Sequence, residues 1–156
     1  MFKNESAMID DFIKVLPRFL REYGLKSYNK LYREKHITPF FFMGKNPPNA
    51  FRIMRQYPKA DLVISHNSKE ITLFEFKNKT TINEVSAGIG QLLIYEYYFK
   101  NYYNDIIVNK VLIAPELPDI LMGIVEFYEK NFYLIEWNLE YSKLGILKKH
   151  EQGQKN

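Results

Sequence analysis

Apolar runs of strand-like length mark the middle and the C-terminal part of the chain. Residues 60–65 and 71–77 are rich in aliphatic and aromatic side chains, and the polar segment 66–70 between them predicts a β-hairpin. Residues 110–114 are short and mostly apolar, as in a strand that is buried on both faces of a sheet. Residues 132–137 form the last predicted strand.

Apolar residues at helical spacing predict helices before and between these strands. The spacing is clear in residues 8–22, where Ser6 is the expected N-cap and Gly24 follows the end of the segment. Pro17 predicts either a kink or a division into two short helices. The other helical candidates are residues 26–35, which are weaker, and residues 85–100 and 118–130, while residues 38–43 are expected to be a strand or a buried extended segment.

The predicted strand at 71–77, helix at 85–100 and strand at 110–114 form a βαβ unit, whose two strands should be parallel. Together with the antiparallel hairpin, this unit predicts an α/β fold with a mixed central sheet flanked by helices. We expect a single domain over residues 1–156, with a basic, helical N-terminal part (1–50), a core that carries the candidate chemistry (51–137) and a polar tail (148–156).

Positive charge is concentrated in the first part of the chain. Residues 1–60 hold 12 Lys and Arg against 5 Asp and Glu, whereas residues 61–156 hold 10 against 13. This asymmetry is expected of an enzyme that binds a polyanion at a carboxylate centre, although a solvated basic surface would give the same count. Cysteine is absent, and neither a membrane-spanning run nor a signal peptide is evident, so we expect a cytoplasmic protein without a membrane partner.

The predicted hairpin brings two acidic residues and a lysine together. If its turn centres on Ser68, Asp61 lies directly opposite Glu75, and opposed side chains point to the same face with β-carbons about 5 Å apart. Lys77 follows Glu75 by two residues and shares that face. Two carboxylates this close repel each other unless a cation lies between them, and hard oxygen ligands suit Mg²⁺ or Mn²⁺.

Such a centre is suited to the hydrolysis of phosphodiester bonds. A metal ion would neutralise charge on the phosphate and lower the pKa of a bound water, and a lysine could orient that water or help to deprotonate it. Gln91 and Tyr95 lie four residues apart on one face of the helix that follows the lysine, so they can reach the carboxylate end of the sheet.

These residues resemble the PD-(D/E)XK nuclease superfamily. The resemblance rests on Asp61, on Glu75-Phe76-Lys77 and on residues 91–95, whose sequence QLLIY looks like the QxxxY motif of the RecB-like branch. It covers residues 60–114, although Ala60 stands where the motif has proline. The resemblance implies a restriction-endonuclease-like fold with an αβββαβ core.

The resemblance also implies catalytic roles for Asp61, Glu75, Lys77, Gln91 and Tyr95. Of these, Asp61 and Glu75 would bind Mg²⁺ or Mn²⁺ together with the backbone carbonyl of Phe76. The lysine would serve the attacking water, and the glutamine and the tyrosine would position the substrate or the lysine. Many members also carry a glutamate on the first helix, for which Glu22 is the first candidate and Glu34 the second.

The expected substrate is DNA, although the residues do not distinguish DNA from RNA. Arg52, Arg55 and Lys59 precede the Asp61 strand and could bind backbone phosphate, but a solvated basic loop fits them equally well. Tyrosines recur at positions 95, 97, 98, 102 and 103. These rings could stack on bases, although packing is their commoner use. Small single-domain nucleases often act as dimers, so a homodimer is a further expectation by analogy.

Other interpretations of the same residues stay open. Glu75 and Lys77 could form a solvated pair on an edge hairpin, but strands that are apolar on both faces belong to the middle of a sheet. Gln91 could be a surface residue and Tyr95 a packing residue. The chain could also be a catalytically inactive nucleic-acid-binding module on the same fold, or an interaction protein with no nucleic-acid role. Gly88-Ile89-Gly90 lies within a helix and is too short to be a phosphate-binding loop.

Overall fold

A mixed sheet forms the centre of the structure. The computed structural model describes residues 1–39, 41–42, 56–128 and 131–149. These residues form a six-stranded sheet in the spatial order β1 (Lys30–His36), β2 (Lys59–Asn67), β3 (Glu70–Phe76), β4 (Ile107–Ala114), β5 (Phe132–Glu136) and β6 (Lys148–Lys149). β2 is antiparallel to β1 and β3, β4 is parallel to β3 and β5, and β6 is antiparallel to β5.

Helices cover both faces of this sheet. The described residues contain α1 (Glu5–Ile13), α2 (Leu16–Glu22), α3 (Ile82–Tyr102), α4 (Asp119–Tyr128) and α5 (Leu139–Leu144). Residues of α1 and α2 pack on one face, and residues of α3 and α4 pack on the other. The order from α1 to β4 is that of the predicted αβββαβ core. Within the described part of the chain, no helix combines the length and the apolar character needed to cross a membrane.

The N-terminal helical segment is divided in two, as Pro17 predicts. Pro17 lies in the first turn of α2, where the missing N–H removes no intrahelical hydrogen bond. The predicted cap at Ser6 is wrong, because Asn4 Oδ1 accepts the hydrogen bond from the N–H of Ala7 at 2.8 Å. Ser6 lies two residues after the cap, in the first turn of α1, and its hydroxyl accepts a hydrogen bond from Arg33.

The predicted register of the β2–β3 hairpin is confirmed. Val63 pairs with Leu73 and Leu62 pairs with Phe74, so position 61 follows opposite position 75. The pairing is irregular only near the turn, between Ser65 and Asn67. Every residue of β3 is buried, because β2 and β4 flank it and helices cover both faces. The strand that ends at the candidate chemistry is therefore central and rigidly held.

Aromatic packing holds the first two helices against the sheet. Phe12 of α1 is fully buried, and its ring contacts those of Phe19, Phe76 and Trp137 at centroid distances of 5.6, 5.7 and 5.7 Å. On the opposite face, Leu92 of α3 belongs to the cluster of buried residues that also includes strand residues of the sheet. The ends of β2 and β3 are thus fixed between two packed layers.

The structure differs from the local predictions for residues 26–35 and, in part, for residues 38–43. Residues 26–35 contain no helix, because Lys30–His36 pairs with the free edge of β2, and this backbone pairing outweighs a weak helical pattern. Within 38–43, Phe41 lies in a turn, where its N–H donates to the carbonyl of Thr38. Residues 40 and 43 lie outside the described part. The predicted polar tail begins with Lys148–Lys149, which form the short strand β6, and residues 150–156 lie outside the described part.

Candidate active site

The carboxylates lie where β2 begins and β3 ends. Because these strands are antiparallel, the first residues of β2 stand beside the last residues of β3. Continuing the register from Leu62 and Phe74 sets Asp61 opposite Glu75, and opposed residues share a face. The negative charge of Asp61 also acts on the Glu75 carboxyl group. The structure therefore brings the two predicted acids together.

Asp61 is held by the backbone of the neighbouring strand. Its Oδ2 atom accepts a hydrogen bond from the N–H of Phe76 at 2.9 Å. On its other side the β1–β2 pairing skips Glu34, which has a φ of 47° in the left-handed region that few non-glycine residues adopt. Burial raises the pKa of Asp61, while the Phe76 N–H and the charge of Lys77 act in the opposite direction.

Glu75 is a buried acid that interacts with both Asp61 and Lys77. Its exposure is 3%, and the burial raises its pKa to about 8, with a further upward contribution from Asp61 and a downward one from Lys77. Lys77 Nζ lies 3.5 Å from Glu75 Oε1. The second oxygen, Oε2, is buried without a hydrogen-bond partner. A buried oxygen without a partner is costly, so this atom is available to a cation or a polar ligand.

A glycine of α3 makes room for the lysine. A Cβ atom at Gly88 would lie 2.6 Å from Leu112 Cδ1 and 3.3 Å from Lys77 Cε. Only a residue without a side chain lets α3 approach the sheet this closely. The absence of a side chain at Gly88 thus leaves the space in which the alkyl chain of Lys77 lies, with its ammonium group 3.5 Å from Glu75 Oε1.

A chain of hydrogen bonds orients Gln91. The hydroxyl of Tyr95 donates to the backbone carbonyl of Lys59 at 3.2 Å and accepts from Gln91 Nε2 at 3.5 Å. The amide nitrogen is thereby turned toward the tyrosine, and Gln91 Oε1 is buried without a partner. Burial raises the pKa of Tyr95, as do the charges of Glu75 and Asp61. The hydrogen bonds between Gln91, Tyr95 and Lys59 therefore lie close to the acids.

The residues present fit a hard divalent cation. Within the described ranges, no three His, Cys, Asp or Glu side chains cluster closely enough to hold a metal by themselves. Mg²⁺, however, is usually held by one or two carboxylates, with water and substrate phosphate completing its shell. Asp61 and the unpartnered oxygen of Glu75 supply such a pair, and the carbonyl of Phe76 remains a predicted third ligand.

The structure places the first-helix candidates differently from the sequence expectation. Glu22 is on the surface of α2, where it forms an ion pair with Arg18 at 2.8 Å. Glu5, in the first turn of α1, interacts electrostatically with Asp61 and Lys77. Burial makes the largest contribution to raising the pKa of Glu5, and the charge of Asp61 makes the second. Glu34, the second candidate, acts on the pKa of Asp61. Glu22 therefore does not take the predicted place beside the acids, whereas Glu5 of the first helix interacts with them electrostatically.

Of the three predicted phosphate-binding residues, only Lys59 can be located. It begins β2 with an exposed side chain, and its carbonyl accepts from Tyr95. Arg52 and Arg55 lie outside the described residues.

Two residues of the site, Glu5 and Gly88, were missed in the sequence. Glu5 follows the capping Asn4, and an acid in the first turn of a helix is explained equally well by the helix dipole. Gly88 gave a usable signal, since a glycine inside a helix is unfavourable unless packing requires it.

A fold of the same kind occurs in the crystal structure of a repair endonuclease from Pyrococcus abyssi. The TM-score is 0.54 with 19% sequence identity, over 88% of this chain and 49% of that one. This chain thus spans about half the length of that protein. Family models and curated proteins give no match to the chain. The likeness establishes the restriction-endonuclease-like α/β fold of this chain.

The close approach at Gly88 predicts opposite effects of two alanine substitutions. Gly88→Ala should lower the free energy of unfolding by about 1–3 kcal/mol, because Leu112 and Lys77 must move. Gly90→Ala is the matched control: its Cβ would meet nothing within 4 Å, so it should stabilise the helix by about 0.5–1 kcal/mol. Urea denaturation measures both, and equal effects would contradict the packing described for Gly88.

The raised pKa of Glu75 predicts a pH-dependent stability in the presence of a chelator. The folded protein holds a proton on Glu75 up to about pH 8, whereas the unfolded chain releases it near the ordinary value of 4.5. The contribution of Glu75 to the free energy of unfolding is therefore fully present below pH 4.5, the pKa of Glu75 in the unfolded chain. This contribution is lost as the pH rises to about 8, the pKa in the folded protein. Wild type should lose more stability over this range than Glu75→Gln in urea denaturation, and identical pH slopes would argue against it.

Proposed function

We propose that this chain is a metal-dependent nuclease that hydrolyses phosphodiester bonds in DNA with Mg²⁺ or Mn²⁺. The observation that carries the proposal is the buried, unpartnered Oε2 of Glu75, beside Asp61 and with Lys77 Nζ 3.5 Å from its other oxygen. Two acids in such surroundings are compensated by a divalent cation better than by a single lysine. The fold shared with a repair endonuclease supports the same activity.

Asp61 and Glu75 would hold the metal ion, together with the carbonyl of Phe76. When bound, the ion would supply charge neutralisation at the phosphate and a more acidic water. The Phe76 N–H keeps the Asp61 carboxylate in place through its 2.9 Å hydrogen bond. Because β3 is buried along its whole length, the backbone that carries Glu75 is held in the middle of the sheet.

Lys77 would stabilise negative charge that develops during attack on the phosphate. Its alkyl chain lies against the backbone of Gly88, and its side chain is only 12% exposed, so the ammonium group is preorganised rather than surrounded by water. Gln91 Oε1 is the acceptor on the other side, suited to a hydrogen bond from the ammonium group or from the attacking water. Tyr95 acts as a positioning residue, because it fixes which end of the Gln91 amide faces the site.

Positive residues outside the centre would bind the DNA backbone. Lys59 has an exposed side chain at the start of β2, two residues before Asp61. Arg52 and Arg55 are proposed to join it on the basis of sequence alone. Such contacts would hold the strand without reading its sequence.

Removal of the lysine tests the activity directly. Lys77→Ala should lower the rate of Mg²⁺-dependent cleavage of a labelled DNA oligonucleotide by about 10²–10⁴-fold, as expected for a group that assists proton transfer. Lys69→Ala is the matched control, because this exposed lysine lies in the turn at the opposite end of β3. The Lys69→Ala variant should cleave DNA like wild type.

Two results would defeat the nuclease proposal. If wild type and Lys77→Ala are equally inert with Mg²⁺ and Mn²⁺ but both bind DNA, the chain is a binding module on a nuclease fold. If neither binds DNA in a salt-dependent way, it has no role at a polyanion, since phosphate contacts make affinity fall steeply with salt.

Glu5 and Glu22 provide a paired test of the first-helix acid. Glu5→Gln should raise the Mg²⁺ concentration needed for half-maximal cleavage by about tenfold, the effect usual for a charge that supports metal ligands. Glu22→Gln should leave the requirement unchanged, because its carboxylate pairs with Arg18 on the surface. A metal requirement that responds to Glu22 and not to Glu5 would reverse the assignment.

A further inference from the structure

A row of tyrosines continues from the candidate site along α3. Gln91, Tyr95, Tyr98 and Tyr102 recur at intervals of four, three and four residues, which places them along one flank of the helix. Tyr57, two residues before Lys59, joins this flank: its ring lies 6.0 Å from that of Tyr102. The flank of α3 that begins beside the acids therefore carries aromatic side chains at its far end.

The rings of this tyrosine row follow one another at nearly constant spacing. We define the tyrosine row as Tyr57, Tyr102, Tyr98 and Tyr97, whose successive centroids are 6.0, 6.0 and 5.9 Å apart. Tyr97 is 66% exposed, and the other three are half-buried. Two other tyrosines of α3 and its C-cap are used differently. Tyr95 is buried, and the Tyr103 hydroxyl donates to the backbone carbonyl of Pro39.

The charges beside the row favour a polyanion. Lys59 is exposed just after Tyr57, and Lys100 lies within the row with 57% of its side chain exposed. The nearby acid Glu96 is already paired, with Lys100 and with the buried Lys110. An exposed aromatic surface flanked by lysines is the combination by which proteins bind unpaired nucleotides, because every base presents a π-face and a phosphate.

We infer that the tyrosine row binds single-stranded DNA next to the scissile phosphate, an inference that rests on the proposed nuclease function. In a duplex, base faces are stacked on each other and offer no partner to tyrosine, so the row selects a free strand, a flap or a frayed end. From Gln91 to Tyr102 the helix rises about 16 Å, at about 1.5 Å per residue. That length accommodates about five nucleotides at the rise of a stacked strand, or fewer if the strand is extended.

Binding measurements on a cleavage-deficient parent test the inference. The parent is Lys77→Ala, and the probes are a labelled oligothymidylate and a duplex of the same length, each followed by fluorescence anisotropy in chelator. Tyr98→Ala and Tyr102→Ala should each weaken binding of the single strand by about fivefold to a hundredfold, as expected for the loss of one stacking ring. Tyr98→Phe and Tyr102→Phe keep the ring and should bind within about twofold of the parent.

Two further variants keep the test decisive. Tyr97→Ala alters an exposed residue, should fold normally, and should weaken single-strand binding even if the half-buried positions do not tolerate alanine. Phe127→Ala removes a 76% exposed ring from α4, outside the row, and should have no effect. The inference is overturned if folded alanine variants bind the oligothymidylate like the parent, or if the row affects duplex and single strand equally.

Cleavage by the wild-type protein is measured separately, so that the two proposals can fail separately. Cleavage that depends on Lys77, together with binding that does not depend on the tyrosine row, would support the nuclease proposal and reject the single-strand surface. Absence of cleavage together with tyrosine-dependent binding of the oligothymidylate would reject the nuclease proposal and support the single-strand surface.

Discussion

The closeness of Asp61 and Glu75 is the constraint around which the site is built. The β2–β3 register, which is fixed by buried pairs such as Val63 and Leu73, sets positions 61 and 75 opposite each other where the paired region ends. A register slip of one residue would turn every side chain of the strand to the opposite face, so the sheet resists it strongly. The hydrophobic core therefore keeps two acids close together, and burial beside Asp61 raises the pKa of Glu75 to about 8.

Helix α3 completes the site with parts of its surface that serve different purposes. Gly88 permits the close approach that confines Lys77, and Gln91 and Tyr95 form the polar contact with the start of β2. Further along the same flank the tyrosine row provides an exposed aromatic surface. Because one rigid helix carries all of these groups, the distance from the acids to the aromatic surface is set by helix geometry rather than by a loop.

The sequence predicts those parts of the site that depend on strand register and helix spacing. Asp61 opposite Glu75 follows from the hairpin pattern alone, and the division of the first helix follows from Pro17. The parts it does not predict depend on contacts between distant segments: the edge strand β1 forms because β2 offers a free edge, and Glu5 comes near Asp61 because α1 packs on β3. A weak local pattern cannot report either contact, since both are decided by the assembled sheet.

The central claim is that the two neighbouring acids form a site for a divalent cation. Crystals of the protein soaked in Mn²⁺, with diffraction recorded at the manganese absorption edge, test it most directly. We expect an anomalous peak between the carboxylates of Asp61 and Glu75 that disappears in Glu75→Gln. No peak at these carboxylates, with Mn²⁺ absent from the crystal or bound elsewhere, would contradict a cation site there.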